Sequence, residues 1–154
     1  MFFTSTCIIH SFGDTFYYTG CPHCRRKIAL KESNGTCPHC SKNYEEIKYF
    51  YSFLLFVADG SGQCWLQAFG EVGEALLGIS ARELVKWTKE SRIWEDHPAV
   101  VAALGKKFTM KIKRKPESKG GYKFIIERIL TTDLPEQNTV LLQRLELFYS
   151  YLLD

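Results

Sequence analysis

The chain has 154 residues, 45% hydrophobic and 24% charged, with a net charge of +3. That length suits one domain with a proper core, and the composition excludes a disordered chain. No apolar run approaches the roughly 20 residues that a spanning helix needs, so no membrane partner is expected.

The opening segment MFFTSTCIIHSF lacks the basic start and long apolar centre of a secretory leader. Residues 2–10 and 15–19 read as strands, joined at Ser11–Asp14 where Gly13-Asp14 supplies a turn. The second strand runs into Cys21-Pro-His-Cys24, and a second CPHC follows as Cys37 to Cys40. Twelve residues separate the two pairs. Two thiolates two residues apart can grip one ion from a single tight turn, and a second pair closes a tetrahedral site. The spacing predicts one structural zinc on Cys21, Cys24, Cys37 and Cys40, with two disulfides as the competing reading. His23 and His39 sit inside the knuckles but are not needed as ligands. Cys7 and Cys64 lie far off in strand-like runs and read as small buried hydrophobes, which fits a reducing compartment.

Segments 25–30 and 43–48 are expected to be the short strands of a zinc ribbon, inserted at about residues 19–48. Residues 49–58 form a long aromatic strand, Asp59-Gly60-Ser61-Gly62 a hairpin turn, and 63–69 its partner. The pattern then turns helical. Residues 71–77 form a helix stopped by Gly78, Ser80 and Glu83 make a capping box for a helix to about Glu90, and Asp96 with Pro98 starts another. Residues 107–114 alternate, with Phe108, Met110 and Ile112 on one face and Lys111 and Lys113 on the other. A turn at 116–121 leads to a strand at 122–130, and Pro135 precedes a last helix.

Strands, a helical insert, two more strands and then a helix predict a mainly β fold with helices. The type is a five-stranded OB-fold barrel carrying the ribbon and a C-terminal amphipathic helix. The expected division is 1–134 for the barrel and 135–154 for the helix. Charge is uneven along it. From Lys106 to Arg128 nine basic residues stand against Glu117 and Glu127, and from Asp133 onward four acids stand against Arg144.

Trp65 and Phe69 share one face of their strand with Gln67 between them, while Leu66 and Ala68 can serve the core. Rings left outside would stack on nucleobases, a sequence-tolerant contact; the plain alternative is that they pack inward. Tyr49 and Tyr51 alternate on the neighbouring strand as further stacking candidates, although Phe53 continues their face and could be core. Lys111, Lys113 and Lys123 would line a phosphate track, or form an ordinary solvated face. Leu141, Leu142, Leu145, Phe148, Tyr149 and Leu152 make an apolar stripe that either docks on partner subunits or folds back on the barrel. His10 and His97 carry no site pattern. No Ser/His/Asp set, phosphate loop or paired carboxylates is visible, and four thiolates leave zinc no open position, so no enzyme is expected.

The ribbon between early barrel strands, the VAD-x-x-G-x-x-W-x-x-x-F hairpin, the E-x-x-E-x-x-L-G helix and the apolar last helix resemble one family. It is the C-terminal DNA-binding domain of the replication protein A large subunit, shared with telomerase-associated and meiotic paralogues. The likeness spans nearly the whole chain. It departs in a closer first cysteine pair, and in Tyr49-Phe50 where the family tends to carry Arg after the tyrosine. The resemblance implies single-stranded DNA as ligand, with Trp65 and Phe69 stacking. It also implies two smaller OB-fold subunits bound through the last helix, and a nuclear protein. An assembly scaffold with weak DNA binding is the alternative.

Overall fold

The structure is a computed structural model that describes residues 1–29, 34–90, 93–118 and 120–130. The last helix predicted from the sequence, with its six stripe residues, lies outside the described residues, as does the division at 134/135.

Strand β1 (Phe2–Phe12) is long enough to serve two neighbours. Its first part pairs with a later strand, from Phe2 opposite Lys113 to Ile8 opposite Lys107. Its second part pairs with the long aromatic strand, from Ile8 opposite Ala58 to Phe12 opposite Leu55. The register slips between Ile9 and Ser11, so His10 is the extra residue of a β-bulge. Such a bulge bends a strand and re-aims a side chain, and here it lets β1 turn the corner that closes the barrel.

β2 (Tyr17–Gly20) leads into the ribbon, whose two-stranded ladder is β3 (Gly35–Thr36) with β4 (Asn43–Tyr44). Of the strand expected at 25–30, the described residues 25–29 form one bridge, Lys27 to Gly20. The Cys21 N–H donates to the Arg26 carbonyl at 3.0 Å and the Ile28 N–H to the Thr19 carbonyl at 2.9 Å, so this segment touches β2 only beside the first knuckle. β5 (Lys48–Asp59) and β6 (Gly62–Phe69) form the hairpin. Asp59 holds its turn by accepting from the Ser5 and Ser61 hydroxyls and from the Ser61 and Gly62 backbone N–H groups.

The helical insert is α1 (Gly70–Leu77), α2 (Ala81–Lys89), a 3-10 turn at Trp94–Asp96 and α3 (Pro98–Ala103). The capping box on α2 is present, Ser80 accepting from the Glu83 N–H and Glu83 from the Ser80 N–H. The cap of α3 is His97 rather than Asp96: its Nδ1 accepts from the Ala99 N–H at 3.1 Å, with Pro98 in the first turn. Asp96 closes the 3-10 turn instead. β7 (Lys107–Pro116) and β8 (Tyr122–Leu130) complete the sheet. β8 lies parallel to β6 and antiparallel to β7, and the cycle β1–β5–β6–β8–β7–β1 closes the five-stranded barrel.

The core is the inward set of each strand, including Ile9, Tyr51, Phe53, Leu55, Leu66, Met110, Ile112 and Ile126, with Leu76, Leu77, Leu84, Val85 and Trp94 from the insert. Cys7 is buried in this cluster and half-buried Cys64 packs against it, as small hydrophobes. α1 comes down onto Tyr51 because residue 73 has no side chain: a Cβ there would sit 2.6 Å from the Tyr51 Cβ. Replacing Gly73→Ala should therefore force the helix off the sheet, and a loss of about 1–3 kcal/mol of stability in denaturant unfolding is expected.

A second prediction concerns acid. The hydrogen bond from Ser5, then those from Ser61, hold the Asp59 carboxyl well below the usual carboxylate range. A depressed folded pKa makes this contribution complete above the ordinary Asp value of about 3.9 and lost as pH falls through the folded value. Asp59→Asn should therefore flatten the acid limb of the stability profile, read from thermal melts at stepped pH.

Candidate metal centre and nucleic-acid interface

The two knuckles repeat one backbone design. The Arg25 N–H donates to the Cys21 carbonyl and the Ser41 N–H to the Cys37 carbonyl, both at 2.9 Å. Arg25 and Ser41 take left-handed conformations (φ 60° and 57°), which turns the chain sharply after each second cysteine. The His23 and His39 N–H groups donate to the Cys21 and Cys37 sulfurs at 3.4 Å. His23 uses its ring on the Asn43 carbonyl at 3.0 Å.

All four Sγ atoms lie within 4.8 Å of one another. Cys21 and Cys40 are 3.8 Å apart, and Cys24 and Cys37 are 3.6 Å apart. A tetrahedral ion with metal–sulfur bonds of about 2.3 Å has edges of about 3.8 Å. The four cysteines therefore fit a metal ion. Burial pushes the Cys37 thiol up, but the His39 and Cys40 N–H groups and the neighbouring thiols outweigh it and bring it down to about 7. At Cys40 the Lys42 N–H pulls down, while burial and the three other thiols push it up to about 11. A metal ion binds thiolates, so one seated among these sulfurs would displace the protons they hold.

On the barrel wall, β6 alternates as expected: Leu66 and Ala68 are fully buried, while Trp65 and Phe69 remain 47% and 38% exposed on the outer face. Tyr51 is on the other side. It is 0% exposed, its ring lies edge-on to Phe53 at 5.5 Å, and its hydroxyl donates to the Ile79 carbonyl at 3.2 Å. Its assignment as a stacking residue is corrected, since no base can reach it. Tyr49 shares this inward parity. It is half-buried against the core and meets Tyr17 edge-on at 5.5 Å, apart from the Trp65 face.

The outward residues of β5 are instead Phe50, Ser52, Leu54 and Phe56. The register sets Phe56 opposite Trp65, Leu54 opposite Gln67 and Ser52 opposite Phe69. The Phe56 and Trp65 rings are 5.1 Å apart at 47°. Sequence reasoning misses Phe56, yet counting back from the Asp59–Gly62 turn pairs it with Trp65.

The cations divide. Lys111 forms an ion pair with Glu127 at 2.7 Å, and this bond holds the Glu127 carboxyl below its ordinary range. Lys111 and Lys113 both lie over the Phe2 ring, at 4.7 and 4.9 Å. Lys123 is exposed and stands one residue before Phe124, as Trp65 stands one before Leu66 in the parallel pair, so the register puts Lys123 beside Trp65. Arg114 covers exposed Tyr122 at 4.1 Å, a second ring-and-cation pair near the β7–β8 hairpin.

A closed five-stranded barrel with this strand order, a ribbon between its first strands and four clustered cysteines defines a zinc-ribbon type of OB-fold domain. The family model described as replication factor-A C terminal domain matches residues 1–129, and the chain belongs to that family.

The chain is 34% identical over 117 residues to a replication protein A 70 kDa DNA-binding subunit of Oryza sativa subsp. japonica, covering 70% of this chain and 17% of that protein. To the protein of the same description in Tetrahymena thermophila it is 36% identical over 63 residues, covering 41% of this chain and 9% of that one. The chain thus spans less than a fifth of these relatives' length. Among solved structures it resembles a chain of a replication protein A heterotrimer bound to ssDNA, with TM-score 0.79 and 26% identity, covering 94% of this chain and 35% of that one. A chain of yeast RPA bound to ssDNA shares the fold at TM-score 0.78 and 18% identity, covering 94% of this chain and 85% of that one.

Proposed function

We propose that this chain is a non-catalytic, single-stranded DNA-binding domain of a replication protein A-like large subunit, working in the nucleus. The observation that carries this reading is the outward placement of Trp65 and Phe69 on one barrel face, with Lys123 beside Trp65. Aromatic faces stack on any base, and cations beside them follow the backbone, so recognition needs no sequence readout. Family membership and the likeness to a chain from an ssDNA-bound heterotrimer support it.

Cys21, Cys24, Cys37 and Cys40 would hold one zinc ion. Bound there, zinc supplies cross-linking of the two knuckles and no reaction, because four thiolates fill its tetrahedron. The stripe Leu141, Leu142, Leu145, Phe148, Tyr149 and Leu152 would seat on two smaller OB-fold subunits, by the period of its apolar residues.

The test is fluorescence anisotropy of labelled oligonucleotides with the zinc-loaded chain across a salt series. Thymidylate and mixed-sequence strands should bind alike, with log affinity falling against log salt by about 0.7 for each phosphate neutralised. A folded, zinc-loaded chain that leaves both strands unbound at low salt would contradict the reading.

A further inference from the structure

Around the hairpin end of the barrel, five outer-face residues on five strands fall in one row. Lys123 of β8 stands beside Trp65 of β6, and Trp65 lies opposite Phe56 of β5. His10, the bulged residue of β1, brings its ring to 6.4 Å from that of Phe56. Exposed Lys107 of β7 pairs with Ile8, two residues before His10 and of the same outward parity. Cation, three rings and cation thus follow one another across the sheet.

We infer that His10 and Phe56 extend the base-stacking platform beyond Trp65 and that Lys107 takes a backbone phosphate at its far end, so a single strand crosses from β8 to β7 along this row. The inference rests on the single-stranded DNA reading given above. Two features carry it. The β-bulge is the local device that aims His10 toward Phe56, on the outer side, while its neighbours Ile9 and Cys7 stay in the core. The row also has the chemistry of its ligand, since flat apolar faces suit bases and a lysine at each end suits the phosphates between them. On β6 alone, Trp65 and Phe69 are four residues apart, about 13 Å, with a glutamine between them. Through Phe56 and His10 the rings follow one another at 5.1 and 6.4 Å, so successive bases meet no gap.

The test uses the full zinc-loaded chain and labelled oligothymidylate, with Trp65→Ala as reference. Phe56→Leu keeps the apolar volume and removes the ring, so it should weaken binding about 5-fold or more, while Phe56→Tyr retains affinity. His10→Ala should weaken binding in the same sense, and Lys107→Gln should lower the salt slope by about 0.7. Melting curves for each variant separate lost binding from lost folding. If Trp65→Ala weakens binding but Phe56→Leu, His10→Ala and Lys107→Gln behave as wild type, the row is wrong and the DNA reading stands. If the wild type does not bind, or Trp65→Ala leaves affinity unchanged, the DNA reading falls and takes the row with it.

Discussion

Removing the metal, by chelation or by Cys37→Ser, is expected to unfold the ribbon and leave the barrel folded. The reason is the size of the two cores. Among the described residues the ribbon's cluster contains Ile28, Tyr44 and Ile47 besides the four cysteines, whereas the barrel's own cluster draws on every main strand and on α1, α2 and α3. Three apolar side chains and a ladder of two-residue strands cannot offset the ordering of so many residues. A structural zinc contributes about 10–16 kcal/mol in comparable small sites, so nearly all the ribbon's stability would come from it. Amide exchange reads the effect by segment. Protection should vanish at Cys21, Ile28, Cys37 and Tyr44 while Leu55, Leu66 and Met110 keep theirs. Ribbon amides that stay protected in chelator would contradict a metal-held ribbon.

The second large effect is on binding. Trp65→Ala or Phe69→Ala should weaken affinity for single strands by about 5- to 150-fold, since each stacked base is worth about 1–3 kcal/mol. Stability should change little, because both rings are substantially exposed on the outer face. Tyr51→Phe is the matched control. It removes a buried hydroxyl's bond to the Ile79 carbonyl, costing about 1 kcal/mol of stability, and should leave affinity untouched. Anisotropy titrations paired with urea melts separate the two behaviours. Because Tyr51→Phe keeps the ring, Tyr51→Leu tests the faces themselves: lost affinity there in a variant that still melts as a folded chain, with Trp65→Ala unchanged, would reverse the assignment of faces on β5.

That assignment marks where reading the residues reaches its limit. The knuckles, the Asp59–Gly62 turn, the Ser80–Glu83 capping box and the inward Leu66 and Ala68 are local features, each written in a few adjacent residues. The face of β5 is not local. Its two sides carry Tyr49, Tyr51 and Phe53 against Phe50, Leu54 and Phe56, so period alone cannot say which side is core. The cross-strand register decides, and only the turn, counted outward, hints at it. The ion pair of Lys111 is hidden for a similar reason: its partner Glu127 lies across a strand pair whose register shifts at Lys111/Ile112. His10 is unreadable from sequence because it owes its position to a bulge that arises only when β1 is shared between β5 and β7. The ribbon strand expected at 25–30 is over-read across residues 25–29, where the knuckle turn takes the Arg26 carbonyl and only the stretch beside Lys27 meets β2.

The most direct measurement is photocrosslinking of the zinc-loaded chain to single strands carrying iodouracil, with adducts located by mass spectrometry. Trp65 and Phe56 should carry the label, with Phe69 beside them, and unlabelled single strands should compete it away. Adducts confined to the ribbon or to α1–α3, with the outer face of β5 and β6 bare, would contradict a platform of exposed rings as the site of binding.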